Sequence, residues 1–230
     1  MYYYDPTYLI SAIVVLPAFI FALICQAKVK SNYNKYSKVM SMSGMTGAQA
    51  AYRLLQCNGI TDVRINCING ELTDHYDPRT KCINLSQGVY NSASVAAIGI
   101  ACHEAGHACQ HAEAYSPLTL RNAVIPMTRI GSTIGIPICI IGLFINSPTI
   151  AYVGVILYSL VALFQLLTLP VEFNASSRAL ATIEANNFLV GEEYSGAKKV
   201  LTAAALTYVA SLATALATIL RLLLVINRRR

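Results

Sequence analysis

A stretch of 42 residues without one charged side chain, residues 130–171, constrains the fold of this chain more than any other feature. Residues 6–27 and 200–220 are uncharged too, and only 12% of the 230 residues are Asp, Glu, Lys or Arg. Soluble domains carry about twice that fraction of charged residues. Because about 20 apolar residues suffice to cross a bilayer, the sequence predicts a multi-pass integral membrane protein.

The longest uncharged stretch has room for two crossings. A polar turn near its middle, residues 146–148, reads Asn-Ser-Pro. We therefore predict a transmembrane helical hairpin over residues 126–170. In its first helix, Gly131 and Gly135 have the small-xxx-small spacing that lets membrane helices pack closely.

Residues 1–28 predict an N-terminal transmembrane anchor. A cleaved signal peptide is the alternative. However, the basic segment that usually begins a signal peptide is absent, and the uncharged stretch of residues 6–27 is longer than the apolar core of a signal peptide, which is commonly about 7 to 15 residues. Four lysines follow the anchor, and no acidic residue comes after them until Asp62. By the positive-inside rule this side of the membrane is cytoplasmic. The lysines are Lys28, Lys30, Lys35 and Lys38.

A His-Glu-Ala-Gly-His pentapeptide occupies residues 103–107. In a helix, the imidazoles of His103 and His107 lie one turn apart on one face, with Glu104 at their flank. Two neutral imidazoles at this spacing suit one zinc ion, and Glu104, which is not a ligand in this arrangement, can remove a proton from water. The motif therefore indicates hydrolysis.

The surroundings of the pentapeptide favour a helix. Residues 93–101 are mostly apolar, and Asn91, Ser92 or Ser94 can cap the helix at its start. The alternative is a pair of ordinary hydrogen-bonded histidines without a metal. A third ligand is needed to decide between the two interpretations.

Residues 29–125, which contain the histidine helix, predict a small α+β unit. Thr46 can cap a helix that ends near Cys57, and two short strands are expected over residues 63–68 and 82–85, with a turn at Asn69 and Gly70. An extended peptide substrate could add as a strand beside an edge formed by residues 82–85. That hypothesis requires residues 82–85 to form an edge of the sheet.

Glu172 is the candidate third ligand. If residues 149–169 return across the bilayer, Glu172 emerges on the side where the histidine helix lies, and we expect residues 171–199 to form a third-ligand helix and loop. The alternative is an acidic residue that merely interacts favourably with a helix N-terminus. The hairpin favours the ligand.

Three segments resemble one family, the YugP-like membrane zinc metallopeptidases, more distantly similar to HtpX-type membrane proteases. The segments are residues 71–81, residues 103–107 together with Gln110, and residues 169–179. The resemblance implies a mainly α membrane protein with a small zincin-like (gluzincin) catalytic unit. It also implies one catalytic Zn²⁺ held by His103, His107 and Glu172, with Glu104 as general base and a peptide or protein as substrate.

The chain departs from the HtpX-type pattern at one position. Those proteins place an Asp four residues after the ligand Glu, where it can orient a zinc-bound imidazole, whereas this chain has Ser176. Residues behind the ligands fix the tautomer and the orientation of a ligand imidazole. Asn174 and Ser176 are the candidates for that role here.

Several other residues are weaker candidates for the site. His75, Tyr76 and Arg178 could each donate a hydrogen bond to an oxyanion, although His75 could equally belong to a polar turn. His111 lies about 80° around the helix from His103, and Cys102 points to another face. We expect neither of these two to bind the metal.

The remaining features narrow the function classes. The seven cysteines form no CxxC pair, which predicts free thiols in a reducing cytoplasm. A net charge of +6 without interleaved aromatic residues indicates a bilayer surface and no nucleic acid. Nothing indicates an oligomeric state, and no ionisable residue in the uncharged stretches marks a transport pathway.

A non-catalytic, zinc-stabilised membrane scaffold or regulatory subunit is the alternative to an enzyme. A structural zinc site usually closes with four protein ligands and has no use for Glu104, so the pattern favours a peptidase.

For residues 200–230, segment length and charge distribution lead to opposite predictions about a membrane crossing. The uncharged part is long enough to span, but a fourth crossing would place the three C-terminal arginines opposite the lysine-rich segment, against the positive-inside tendency. We expect this apolar helix, with its basic tail, to pack against the catalytic unit or to lie in the membrane interface. One helical face carries Thr207, Ser211, Thr214 and Thr218.

Overall fold

The computed structural model describes residues 6–228, which are mainly helical with one small mixed sheet. The elements in chain order are α1 (Pro6–Tyr36), α2 (Gly47–Cys57), β1 (Arg64–Ile68), β2 (His75–Asp77), β3 (Cys82–Ser86), α3 (Gln87–Tyr90), α4 (Val95–Ala112), α5 (Ser116–Phe144), α6 (Pro148–Ala185) and α7 (Glu192–Arg228).

These elements divide into two compact units. The membrane unit consists of the described residues up to Cys25, residues Thr119–Leu169 and the described residues from Thr207 onward. The α+β unit consists of Gln26–Leu118 and Pro170–Leu206. Among the described residues, four helices are long and apolar enough to cross a membrane: α1, α5, α6 and α7.

Helices α5 and α6 form a helical hairpin in the membrane unit, and its crossing of the bilayer stays a prediction. Helix α5 ends at Phe144 and α6 begins at Pro148, with Asn146 between them in the left-handed region at φ 56°. A Cβ added at Gly135 would lie 2.8 Å from the Tyr158 backbone nitrogen of α6. Because that distance is too short for a real Cβ, the helices pack at van der Waals contact only with glycine here.

Helix α7 is longer than the predicted 200–220 segment. Its first half contributes Ala197, Val200 and Leu201 to the core of the α+β unit. Ile226 near its end packs in the membrane unit with Cys139 and its neighbours. The helix qualifies as a membrane span by length and composition, and the expectation that it does not cross stays a prediction.

The α+β unit forms around α4, which is buried on nearly every side because its sequence is apolar almost throughout. Helix α2 packs against α4 and has the expected N-terminus: Thr46 accepts from the Gln49 backbone N–H, and the Gln49 side chain accepts from the Thr46 N–H. This reciprocal capping box satisfies two backbone donors that a helix start leaves open.

The three strands occur in the order β1-β3-β2. β1 pairs with β3 in parallel, and β2 pairs with β3 antiparallel. The hypothesis that residues 82–85 form an edge for a substrate strand is therefore wrong, because β3 is the central strand. The edges are β1 and β2. Strand β2 was not predicted from the sequence, and it contains His75, for which a polar turn was one interpretation.

Helix α6 runs without interruption from Pro148 to Ala185 and contains Pro170 and Glu172. The third-ligand segment therefore begins as a continuation of the helix that precedes it. Because Glu172 lies within a helix, its backbone position is fixed by helical hydrogen bonds on both sides.

Candidate metal centre

The histidine helix is held against α6 at Gly106. A Cβ at this position would lie 2.6 Å from the Ala175 carbonyl oxygen of α6, closer than a side chain can approach. The absence of a side chain at Gly106 thus lets α4 and α6 meet at backbone distance. That contact brings the motif on α4 close to Glu172 and Ser176 on α6.

His103, His107 and Glu172 form the one group of three metal-binding side chains found among the described residues. Their candidate ligand atoms all lie within 4.8 Å of one another. Glu172 Oε2 is 3.3 Å from His103 Nε2 and 3.7 Å from His107 Nε2. All three side chains are largely buried.

These distances fit zinc. Tetrahedral coordination with bonds of about 2.0 to 2.1 Å separates neighbouring ligand atoms by about 3.4 Å, which is close to the two distances from Glu172. Two imidazoles and one carboxylate are a donor set that zinc accepts, and three protein ligands leave one position of the tetrahedron for water or substrate. The arrangement is that of an open site.

Glu104 lies beside this group and is only 8% exposed. Within the described part of the chain, no hydrogen bond or ion pair engages its carboxylate. Its carboxylate oxygens keep some contact with solvent, since every fully buried side-chain oxygen among the described residues has a hydrogen-bond partner.

A buried relay of hydrogen bonds supports His107. Gln110 Oε1 lies 3.0 Å from His107 Nδ1, and Gln110 itself is fully buried. Its amide nitrogen donates to the Val171 carbonyl at 2.8 Å and to Asn174 Oδ1 at 2.9 Å. Arg178 Nε also donates to Asn174 Oδ1, at 2.7 Å.

This relay fixes which nitrogen of His107 carries a proton. Arginine can only donate and a backbone carbonyl can only accept, so Asn174 presents its oxygen and Gln110 directs its amide nitrogen to Val171. Gln110 Oε1 therefore faces His107 and accepts from Nδ1–H. The lone pair of Nε2 is left pointing toward Glu172, as metal binding requires.

His103 has a different partner. Ser176 Oγ lies 3.1 Å from its Nδ1, so Ser176 occupies the position from which sequence analysis expected an orienting group, whereas Asn174 acts on Gln110. A hydroxyl can donate or accept. Ser176 consequently positions the ring of His103 without dictating its tautomer.

The electrostatics favour a cation between these groups. Burial opposes protonation of His107, yet the nearby carboxylates of Glu172 and Glu104 raise its pKa above the ordinary value. Acidic neighbours that stabilise a proton there also stabilise a metal ion, and the two compete for the same nitrogen.

The weaker candidates lie outside the three-residue group. Tyr76 donates to, or accepts from, His111 Nδ1 at 2.8 Å, and His75 contacts the Thr73 carbonyl and Asn84. Arg178 forms a bidentate salt bridge with Glu113, in which both N–O distances are 2.7 Å. Cys102 is buried, and burial raises the pKa of its thiol.

The family resemblance includes Gln110, but no role was predicted for it from the sequence. Its signal is a polar residue three positions after the candidate ligand His107, on a helix that is mostly apolar. A buried amide without a functional partner would be costly, so this pattern is informative.

Comparison with known proteins gives two matches. Residues 11–227 match the model of the family described as "Putative neutral zinc metallopeptidase". The chain is also 46% identical, over 200 residues, to "Putative membrane protease YugP" of Bacillus subtilis (strain 168), a match that covers 87% of this chain and 89% of that protein. No solved structure matches this chain significantly.

Proposed function

Since this chain belongs to the "Putative neutral zinc metallopeptidase" family, we propose that it is a membrane-embedded, zinc-dependent endopeptidase with Glu104 as its general base. The observation that carries the proposal is the convergence of His103, His107 and Glu172 within 4.8 Å beside Glu104, which is 8% exposed and has no hydrogen-bond partner among the described residues. The match to a membrane protease along most of the chain supports the same substrate class, peptides or proteins.

His103, His107 and Glu172 would hold the zinc ion. When bound, zinc polarises the scissile carbonyl and lowers the pKa of a coordinated water to about 7. Gln110 and Ser176 keep the two imidazoles oriented so that their Nε2 atoms face the carboxylate of Glu172.

Glu104 performs the proton transfers. Its carboxylate takes a proton from the attacking water and then delivers it to the amine that leaves when the peptide bond breaks. Glu104 is only 8% exposed, and within the described residues no donor group engages its carboxylate. The proton transfer therefore does not first have to break a hydrogen bond to the protein.

Candidate donors to the oxyanion are His75, Tyr76 and Arg178. His75 and Tyr76 belong to β2, the edge strand that contacts α4. Burial, with the charges of Asp62 and Asp77, raises the pKa of Tyr76 to about 12, so its hydroxyl keeps its proton at neutral pH. Arg178 is the weakest of the three, since Glu113 and Asn174 already engage it.

The unit that carries the site faces the cytoplasm in our proposal. Helix α1 is followed by Lys28, Lys30, Lys35 and Lys38, and an excess of basic residues marks cytoplasmic segments. In this arrangement α5 and α6 cross as a hairpin and Glu172 returns to the cytoplasmic side.

The decisive experiment compares the wild-type protein with Glu104→Gln, purified in detergent. We expect the variant to keep one zinc per chain and to lose at least about a hundredfold in peptide hydrolysis, since general acid-base catalysis contributes about 10² to 10⁴. Unchanged hydrolysis would refute the assigned base. Zinc retained by a wild-type protein that cleaves no peptide would favour the scaffold.

A further inference from the structure

A groove of about 900 Å³ lies along β1, at the edge of the sheet opposite β2. Residues 63–66 line one side, and α2 contributes Gln49, Tyr52 and Gln56 to the other. None of the residues of the candidate metal centre lines this groove. It is therefore a surface whose binding can be measured separately from hydrolysis.

The strand at this groove has an open edge. The Arg64 backbone N–H donates to the Lys81 carbonyl at 3.0 Å, so the peptide groups of Arg64 face β3. Because peptide groups alternate in direction along a strand, the N–H and the carbonyl of Ile65 face the groove. Within residues 6–228 no backbone partner engages them, and an edge of this kind is a template for a further strand.

The groove is also basic. Arg53 and Arg64 line it, no acidic residue does, and neither guanidinium has a carboxylate partner within the described chain. A strand that pairs with β1 would therefore meet two unpaired positive charges. Exposed Tyr52 adds apolar surface next to them.

We propose that this groove binds an extended acidic peptide segment, which adds to β1 as a strand and places carboxylates on Arg53 and Arg64. Backbone hydrogen bonds to Ile65 supply affinity for the extended conformation, and the two guanidinium groups select acidic side chains. The surface is a docking site for a protein partner, distinct from the bond that is cleaved, and it requires no metal.

The charge part is tested with full-length Glu104→Gln protein in detergent. The probe is a fluorescein-labelled ten-residue peptide of alternating Glu and Val, and binding is followed by fluorescence anisotropy. We expect saturable binding that weakens at least about tenfold in Arg53→Glu/Arg64→Glu, because charge-assisted contacts are lost. The matched control is Arg79→Glu, whose side chain is 90% exposed and lies outside the groove.

A charge swap guards against misfolding of the double variant. We expect a peptide of alternating Lys and Val to bind Arg53→Glu/Arg64→Glu more tightly than it binds the unaltered groove. A double variant that folds, as judged by its thermal unfolding, but gains no affinity for the basic peptide would overturn the charge assignment.

The strand part is tested through the backbone. Ile65→Pro removes the N–H that faces the groove and takes no donor from the β1–β3 ladder, so binding should weaken about tenfold relative to Ile65→Ala. N-methylation of alternate residues of the acidic peptide should abolish binding in one register. Equal binding by methylated and unmethylated peptides would show simple charge adsorption and overturn the proposal.

Discussion

The hairpin in the membrane unit and the α4–α6 contact in the α+β unit use glycine in the same way with different results. Gly135 lets α5 approach the Tyr158 backbone, and Gly106 lets α4 approach the Ala175 carbonyl. In the hairpin, close approach gains packing between apolar helices. At the candidate metal centre, it sets the distance between candidate ligands on two helices, so a shift that packing alone could tolerate would disturb their arrangement.

The largest expected effect is that of Gly106→Ala. The new methyl group would lie 2.6 Å from the Ala175 oxygen, so α4 and α6 must separate and the Nε2 atoms move away from Glu172. We expect at least about a hundredfold loss of zinc affinity, comparable with or beyond the loss of a residue behind a ligand. Competition with a chromophoric chelator measures it.

The control for this variant is Gly99→Ala on the same helix. Its added Cβ would meet the Ala197 side chain at 3.3 Å, a contact that a small adjustment relieves. If Gly106→Ala binds zinc as tightly as Gly99→Ala does, the close approach does not position the ligands.

The next largest effect is that of Gln110→Met, which keeps the volume and removes the acceptor for His107 Nδ1–H. We expect zinc affinity to fall about 10- to 100-fold. The ¹⁵N chemical shifts of His107 should report Nδ1–H in the wild type and a tautomer mixture in Gln110→Met. An unaltered shift pattern in the Met variant would contradict the relay.

Gly135→Ala tests the other side of the comparison. Overpacking a close helix contact costs about 1 to 3 kcal/mol, so the protein should unfold earlier in a denaturing detergent titration while the folded fraction binds zinc normally. Ser132→Ala, at an exposed position one turn away, should change neither quantity. If Gly135→Ala lost as much zinc affinity as Gly106→Ala, the α5–α6 contact and the α4–α6 contact would not differ in their role.

The smallest effect concerns the solvent end of the relay. There, Arg178 donates to Glu113 and lowers the pKa of the Glu113 carboxyl below its ordinary value. The interaction therefore stabilises the fold at pH values above the ordinary pKa of Glu. This stabilisation is lost as the pH falls through the lowered pKa. Because the Glu113 side chain is 55% exposed, Glu113→Gln should cost no more than about 0.5 kcal/mol at pH 7.

Thermal unfolding of the wild type and Glu113→Gln at pH 7 and pH 3 checks this prediction. The difference between the two proteins should shrink at the lower pH, because protonation of Glu113 removes the charge that Arg178 engages. A difference that is equal at both pH values would show that the ion pair is not its source.

Local signals predicted much of the fold. The cap at Thr46, the turn at Asn146 and the glycine spacing in α5 each depend on chemistry within a few residues, and each is confirmed. The position of β3 between two strands depends on long-range pairing, which no local pattern encodes. β2 escaped notice because Asp and His are poor strand formers, and its pairing with β3 makes it a strand.

The candidate site divides in a similar way. His103, Glu104 and His107 belong to one short motif, and the predicted hairpin placed Glu172 on the same side of the membrane. All four residues could therefore be predicted from the sequence. The partners behind them depend on how two helices cross. Only the crossing shows that Ser176 meets His103 and that Gln110 meets Asn174.

The position of Glu172 on a helix far along the chain from His107 has a consequence for the lifetime of the protein. An ion held by both segments is a cross-link that closes a long loop, and ligands that bind only the native state shift the unfolding equilibrium toward it. Zinc supply would then govern how long each molecule survives proteolysis in the cell, as well as how many molecules are active.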